Sequence, residues 1–151
     1  MKPFHQAVLI NSTPPVIWNY LTDPELMKQW MGEPEMQLQV KTEWEVGTPI
    51  IITGFHHVNF ENRGLVLRFE PNKVVSYSHL SSVSRLPALK ENYSVFAFLL
   101  SSIENKTLLE VTVENFPTEI IYKHLVLYWK STAGLLKEII EKNEEQREPK
   151  S

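Results

Sequence analysis

Apolar and polar positions follow two rhythms along this chain, and the change from one to the other outlines its architecture. Residues 4–11 read as a first strand. Ser12 and Thr13 then offer an N-cap, Pro14 and Pro15 suit a first helical turn, and a short helix is predicted over 16–21. Asp23-Pro24-Glu25 starts a second helix, with a capping aspartate, a proline at the first helical position and an acid at the positive helix end. Gly32 supplies a left-handed stop for it. Six strands are then predicted over 36–42, 48–55, 64–70, 74–81, 93–103 and 107–115, all rich in Val, Ile, Leu, Phe and Thr. Turn signals divide them at Val46-Gly47, Glu61-Asn62-Arg63-Gly64, Pro71-Asn72-Lys73 and Glu104-Asn105-Lys106. Loops this short favour an antiparallel meander.

The helical rhythm returns over 118–142. Thr118 is placed to cap and Glu119 sits in the first turn. Leu125, Trp129, Leu136 and Ile140 form an apolar stripe, while Lys123, Lys130 and Lys137 form a second face expected in solvent. The polar residues 143–151 are expected to be a disordered tail, which leaves a single domain over 1–142. The predicted class is α+β. One sheet must bury its inner face, and the last helix is the only element large enough to cover it.

Composition narrows the function. The chain has 151 residues, 42% hydrophobic and 22% charged, and suits one ordinary globular domain. A net charge of -3 without any basic run argues against a nucleic-acid partner. With no cysteine there is no disulfide framework, thiolate zinc site or cysteine nucleophile, and the composition fits a reducing cytoplasm. The N-terminus lacks the long apolar region of a signal peptide, and the run over 95–100 is far short of the roughly 20 residues that span a bilayer. A soluble, cytoplasmic protein without membrane insertion is expected.

Three stretches near the N-terminus carry a resemblance: Ile10-Asn11-Ser12-Thr13-Pro14-Pro15-Val16-Ile17-Trp18, Leu21-Thr22-Asp23-Pro24-Glu25-Leu26 and Lys28-Gln29-Trp30. Gly64-Leu65-Val66-Leu67-Arg68-Phe69-Glu70-Pro71 with Val75-Ser76-Tyr77, and a closing helix bearing Trp129, Leu136 and Lys137, extend it over nearly the whole chain. Together they resemble the activator of heat-shock protein 90 ATPase homologue-like family, of the START-like (SRPBCC) superfamily. The resemblance implies a helix-grip fold, a curved antiparallel sheet gripping a C-terminal helix with a cavity between them. It implies no single activity, because one fold carries many functions. The chain departs from the family pattern at Ala133, where leucine is frequent, at His79, where tryptophan is frequent, and over Phe55-His56-His57-Val58-Asn59-Phe60.

Strand alternation places Ser94, Phe96, Phe98 and Leu100 on one face, as it does Val75, Tyr77 and His79, and Leu109, Val111 and Val113, with Leu67 and Phe69 joining them. This face is open to two readings, a packed core and a partly open pocket with a few polar groups. The small Ala133 and Gly134 opposite the sheet favour the pocket, which would be completed by Trp129 and Leu136. Tyr77 and His79 point the same way and can hydrogen-bond a carboxylate or hydroxyl; His79 is also a possible general base. No third residue orients them, so no catalytic residue is assigned.

His56 and His57, adjacent on a strand, would point to opposite faces, and no ligand spacing supports a metal. No cofactor is implied. Glu43 and Glu45 read as solvated surface, Trp18 and Trp30 as core anchors, and Trp44 as an exposed side chain. Ser94 and Ser131 have no base nearby. The favoured function is non-catalytic binding of a lipid-like or aromatic molecule between sheet and helix. The alternatives are a module regulating a heat-shock protein 90-type chaperone and a small cyclase- or hydrolase-type enzyme.

Overall fold

The first strand, β1 (Phe4–Ile10), leads into α1 (Pro14–Thr22) and α2 (Pro24–Met31) in the computed structural model, which describes residues 1–147. Six strands follow: β2 (Gln39–Thr42), β3 (Pro49–His56), β4 (Val58–Glu70), β5 (Val74–Ser81), β6 (Ser94–Ile103) and β7 (Lys106–Glu114). The closing helix is α3 (Glu119–Arg147). Two of the three expected N-caps are formed, while Thr13 stands at the N-cap of α1 without a capping side-chain hydrogen bond. Asp23 accepts from the Glu25 backbone N–H at 2.9 Å, and Thr118 Oγ1 accepts from Ile121 N–H at 3.1 Å.

The strands form one sheet in the order β1-β7-β6-β5-β4-β3-β2, each neighbour antiparallel. The meander over β2–β7 is sequential, as expected, although the β5–β6 connection is long, running over residues 82–93 through two 3-10 turns. β1 adds to its far edge, with Phe4 opposite Val113 and Ile10 opposite Thr107. The helices cover one face, and the core runs between them: Trp30 lies 6.0 Å from Trp129 and 6.4 Å from Phe98, ring centre to ring centre. Trp18 and Trp30 are buried anchors, and the Trp30 indole N–H donates to the Tyr20 carbonyl at 2.8 Å. The stripe Leu125, Trp129, Leu136 and Ile140 is buried, as its spacing predicts. Among the described residues no helix is long and apolar enough to cross a membrane.

Several expectations are corrected. The segment at 36–42 becomes a strand only at Gln39, because Pro34–Met36 forms a 3-10 turn and Gln37 takes a left-handed φ of 49°. β4 starts at Val58 rather than 64, and Glu61-Asn62-Arg63-Gly64 is strand interior, not a turn. The turn sits at His57, with φ 65°. Gly64 is there for space: a Cβ on it would stand 1.7 Å from the Ser78 carbonyl oxygen, where β4 crosses close to β5. Gly32 likewise stops α2 in an extended, not left-handed, conformation, and a Cβ there would meet Met36 Sδ at 2.7 Å.

The histidines of the tight β3–β4 turn do not point apart; the His56 and His57 rings stand 4.6 Å from each other. Trp44 is half-buried rather than exposed. Its φ of 53° turns the indole inward, where its N–H donates to the Thr22 carbonyl and its ring stacks on Phe69. The helical region extends beyond 142 to Arg147, and Asn143 donates to the Tyr20 hydroxyl at 2.7 Å, giving part of the expected tail a tertiary anchor. Its last residues, 148–151, lie outside the described ones. Lys123 and Lys130 are exposed, but Lys137 is half-buried. It donates to the Leu9 carbonyl and pairs with Glu141, tying α3 to β1.

Candidate functional site

The fold leaves a space that its side chains do not fill. Between the sheet and the first half of α3 lies a cavity of about 580 Å³, inside the roughly 300–1,000 Å³ range of small-molecule sites. Its floor comes from β5 and β6 through Tyr77, His79, Ser94 and Phe96, and one wall from β3 and β4 through Ile52, Phe60 and Asn62. α3 closes it with Ile121, His124, Leu125, Tyr128 and Trp129, and Met31 at the end of α2 completes it. Val58, Val83 and Ile120 also line it yet are exposed, so they mark its mouth, with the exposed His56 and His124 beside them.

Four residues expected from sequence to face the ligand space line this cavity: Tyr77, His79, Phe96 and Trp129. Val75, Phe98, Leu109, Val111, Ala133 and Leu136 are instead buried in packed core beyond its end. Ala133 therefore does not open the pocket, and Gly134 cannot: a Cβ on it would meet nothing within 4 Å, so it faces away from the sheet. The void lies one to three turns earlier along α3. Phe69 packs edge-on against Trp18 at 5.3 Å, outside the cavity. Leu67 is corrected outright. A β-bulge between Val66 and Arg68 shifts the register, putting Val66 opposite Tyr77 and Phe69 opposite Val75, and leaves Leu67 40% exposed.

The chemistry of the cavity is set by burial. His79, half-buried, stacks on Phe96 at 4.7 Å and lines the cavity. Its pKa is pushed down to about 4 by burial and, less, by the nearby His124, so the imidazole is neutral at physiological pH. The Tyr77 phenol is raised well above its ordinary value by burial and then by Tyr128. Tyr128 is pushed up to about 12 by burial, against a hydrogen bond with Thr132, and donates to the Met31 carbonyl at 2.7 Å. Three lining residues carry buried polar atoms without a partner: Tyr77 Oη, Trp129 Nε1 and Asn62 Oδ1. Buried polar groups normally find partners, and leaving one unpaired costs about 1–3 kcal/mol.

No aspartate or glutamate lines the cavity among the described residues. No cluster of three His, Cys, Asp or Glu among the described residues is placed to hold a metal ion. The arrangement can enclose an apolar body and offer it a few hydrogen bonds. Sequence reasoning missed Ile52, Phe60, Asn62, Ile121, His124 and Tyr128. His124 and Tyr128 were within reach, since they flank Leu125 and Trp129 on the same helical stripe. The β3 and β4 residues had no local signal.

The family model described as "Activator of Hsp90 ATPase homolog 1-like protein" matches residues 11–141. No protein of curated function matches the sequence. Among solved structures, a Cytophaga hutchinsonii protein is similar at a TM-score of 0.78 and 27% identity, over 95% of this chain and 96% of its own. A Chromobacterium violaceum protein has a TM-score of 0.78 at 15% identity, over 92% and 96%. The Aha1 dimer of Colwellia psychrerythraea has a TM-score of 0.73 at 22% identity, over 93% and 97%. The last two likenesses concern the fold alone.

Proposed function

We propose a binding rather than a catalytic role for this chain, which belongs to the activator of Hsp90 ATPase homolog 1-like family. It holds a small, largely apolar molecule non-covalently between the sheet and α3, in the cytoplasm. The observation that carries this reading is the cavity of about 580 Å³ walled mainly by Ile, Leu, Val, Phe, Met and Trp side chains. Such a void leaves wall atoms short of contacts, and an apolar guest restores them while leaving water. The apolar rim of Val58, Val83 and Ile120 gives that guest a route in.

The uncharged fluorophore N-phenyl-1-naphthylamine tests the reading. It should bind the wild type at one saturable site. Ile121→Trp, which places a larger ring from α3 into the cavity, should weaken binding at least several-fold without lowering the melting temperature, because it fills a void. A wild type that takes up no probe, or an Ile121→Trp protein that binds it equally well, would contradict the proposal.

A second reading, a module acting on a heat-shock protein 90-type chaperone, has one observation in its favour. Ile120 and Leu127, seven residues apart on α3, are 81% and 71% exposed and share an outward side of the helix. That reading predicts a changed chaperone ATPase rate with the wild type and none with Leu127→Glu. Equal rates with and without the wild type would dispose of it.

A further inference from the structure

We propose that the occupant of the cavity is an uncharged molecule that carries a hydrogen-bonding oxygen, a ketone, ester or alcohol on an apolar body, and is neither a carboxylate nor an amine. The inference rests on the binding role proposed above and adds the chemical class of the ligand.

The first argument is what the walls lack. Among the described residues that line the cavity there is no Asp, Glu, Lys or Arg. An ion carried into it would give up its hydration and meet no counter-charge, which is the costliest way to bury a group. The imidazole in the floor, His79, is held neutral by its burial and by His124. A carboxylate seeking a cationic partner there would first have to drive a proton onto a ring that resists it.

The second argument is what the walls offer. Tyr77 Oη and Trp129 Nε1 are buried donors with no partner, on residues that are each only 2% exposed. Both residues line the cavity and both pack on Phe96, at 5.6 Å and 5.5 Å. One carbonyl or hydroxyl oxygen, with two lone pairs, has the capacity such donors require. Asn62 Oδ1, an unpartnered acceptor on the wall from β4, adds a place for a hydroxyl proton. A neutral oxygen that reaches these atoms would satisfy groups left unpaired by the protein's own fold, while the rest of the molecule would meet hydrocarbon. A charged head has one other place, the mouth, where His56 and His124 are exposed.

Matched pairs of probes separate these cases: 2-acetonaphthone against 2-naphthoate, and 4-acetylbiphenyl against biphenyl-4-carboxylate, with naphthalene and biphenyl as parent hydrocarbons. Each ketone has nearly the shape of its carboxylate, so the pair differs mainly in charge. Affinities would be read at neutral pH from amide chemical-shift changes. The ketones should bind about tenfold or more tighter than the carboxylates. Tyr77→Phe, which removes only the unpartnered oxygen, should lower ketone affinity about fivefold to tenfold and leave the hydrocarbons unchanged. Its melting temperature should be no lower than that of the wild type. Trp129→Phe provides a second variant, with the same direction expected for the ketones.

Carboxylates that match or exceed the ketones would overturn the inference while leaving the binding role intact, with the head then placed at the mouth. Ketone affinity equal to that of the hydrocarbons and indifferent to Tyr77→Phe would overturn it as well. Failure of all six probes would count against the binding role itself.

Discussion

His79 occupies a position where three properties of one side chain meet: its strand face turns it toward the cavity, Phe96 stacks on it, and burial keeps it neutral. Its pKa falls from 6.5 in the exposed chain to about 4 in the fold, so the unfolded chain binds the proton more tightly. Stability from this residue is therefore complete above about pH 6.5. It is lost progressively as pH falls toward 4, and changes no further below that. The loss amounts to at most about 3 kcal/mol at 1.36 kcal/mol per pKa unit. Urea unfolding of the wild type and His79→Phe between neutral pH and pH 4 should show the wild type losing more, while the variant keeps only the slope common to both. Glu141 contributes to that common slope. Burial works to raise its pKa, but hydrogen bonds from Lys137 and the Asn11 backbone, and the charges of Lys137 and Lys106, hold it below the ordinary carboxylate value. Stability from Glu141 is thus lost at lower pH than the onset for His79. Parallel profiles for the two proteins would refute the role given to His79.

At the scale of the element, α3 has two dissimilar halves. The first, through Trp129, covers a void, and the second, from Ala133, packs solidly against the sheet. Neighbouring small residues in the second half accordingly have opposite tolerances. Ala133 is 1% exposed, and Ala133→Leu should overpack the site and cost about 1–3 kcal/mol. Gly134 has open space around its missing Cβ, and Gly134→Ala should stabilise by up to about 1 kcal/mol through helix propensity. Thermal melts of the two variants test both signs, and a stabilised Ala133→Leu would show that the second half is not packed as described. Sequence rhythm placed the stripe of α3 correctly, because 3.6-residue periodicity is a local property. It could not say which part of the stripe lies over packed core, because that depends on how far the sheet curls away beneath it. β4 shows the same limit. Period-two reasoning put Leu67 and Phe69 on one face, and a single bulged residue reversed Leu67 while preserving Phe69.

For the molecule as a whole, element order, the antiparallel sheet and its covering helix were all legible, since apolar spacing and most of the cap and turn signals agreed with one another. The site was legible only in part. Tyr77 and His79 were visible because residues two apart on a strand share a face. The wall from β3 and β4 was not, because the turn between them is made by His57 in a left-handed conformation rather than by the expected Glu61–Gly64 run.

The pairing of the first strand with the last also bears on how the protein is made. β1 has β7 as its neighbour in the sheet, and Phe4 meets Val113 more than a hundred residues later in the chain. At roughly 5–20 residues per second, a ribosome takes about 5–20 s to supply that partner, and α3 follows later still. Throughout that interval α1 and α2 are present but α3 is not, so the part of the inner sheet face that Trp129, Leu136 and Ile140 will cover stays open to the cell. A chain stalled before residue 118 should be digested by protease along its entire length, and protection should arrive in one step once α3 has left the exit tunnel. Early protection of β3–β6 would show that the meander closes by itself. Substitutions along the buried stripe of α3 should then reduce the amount of protein recovered from cells more than the affinity of the molecules that do complete the fold.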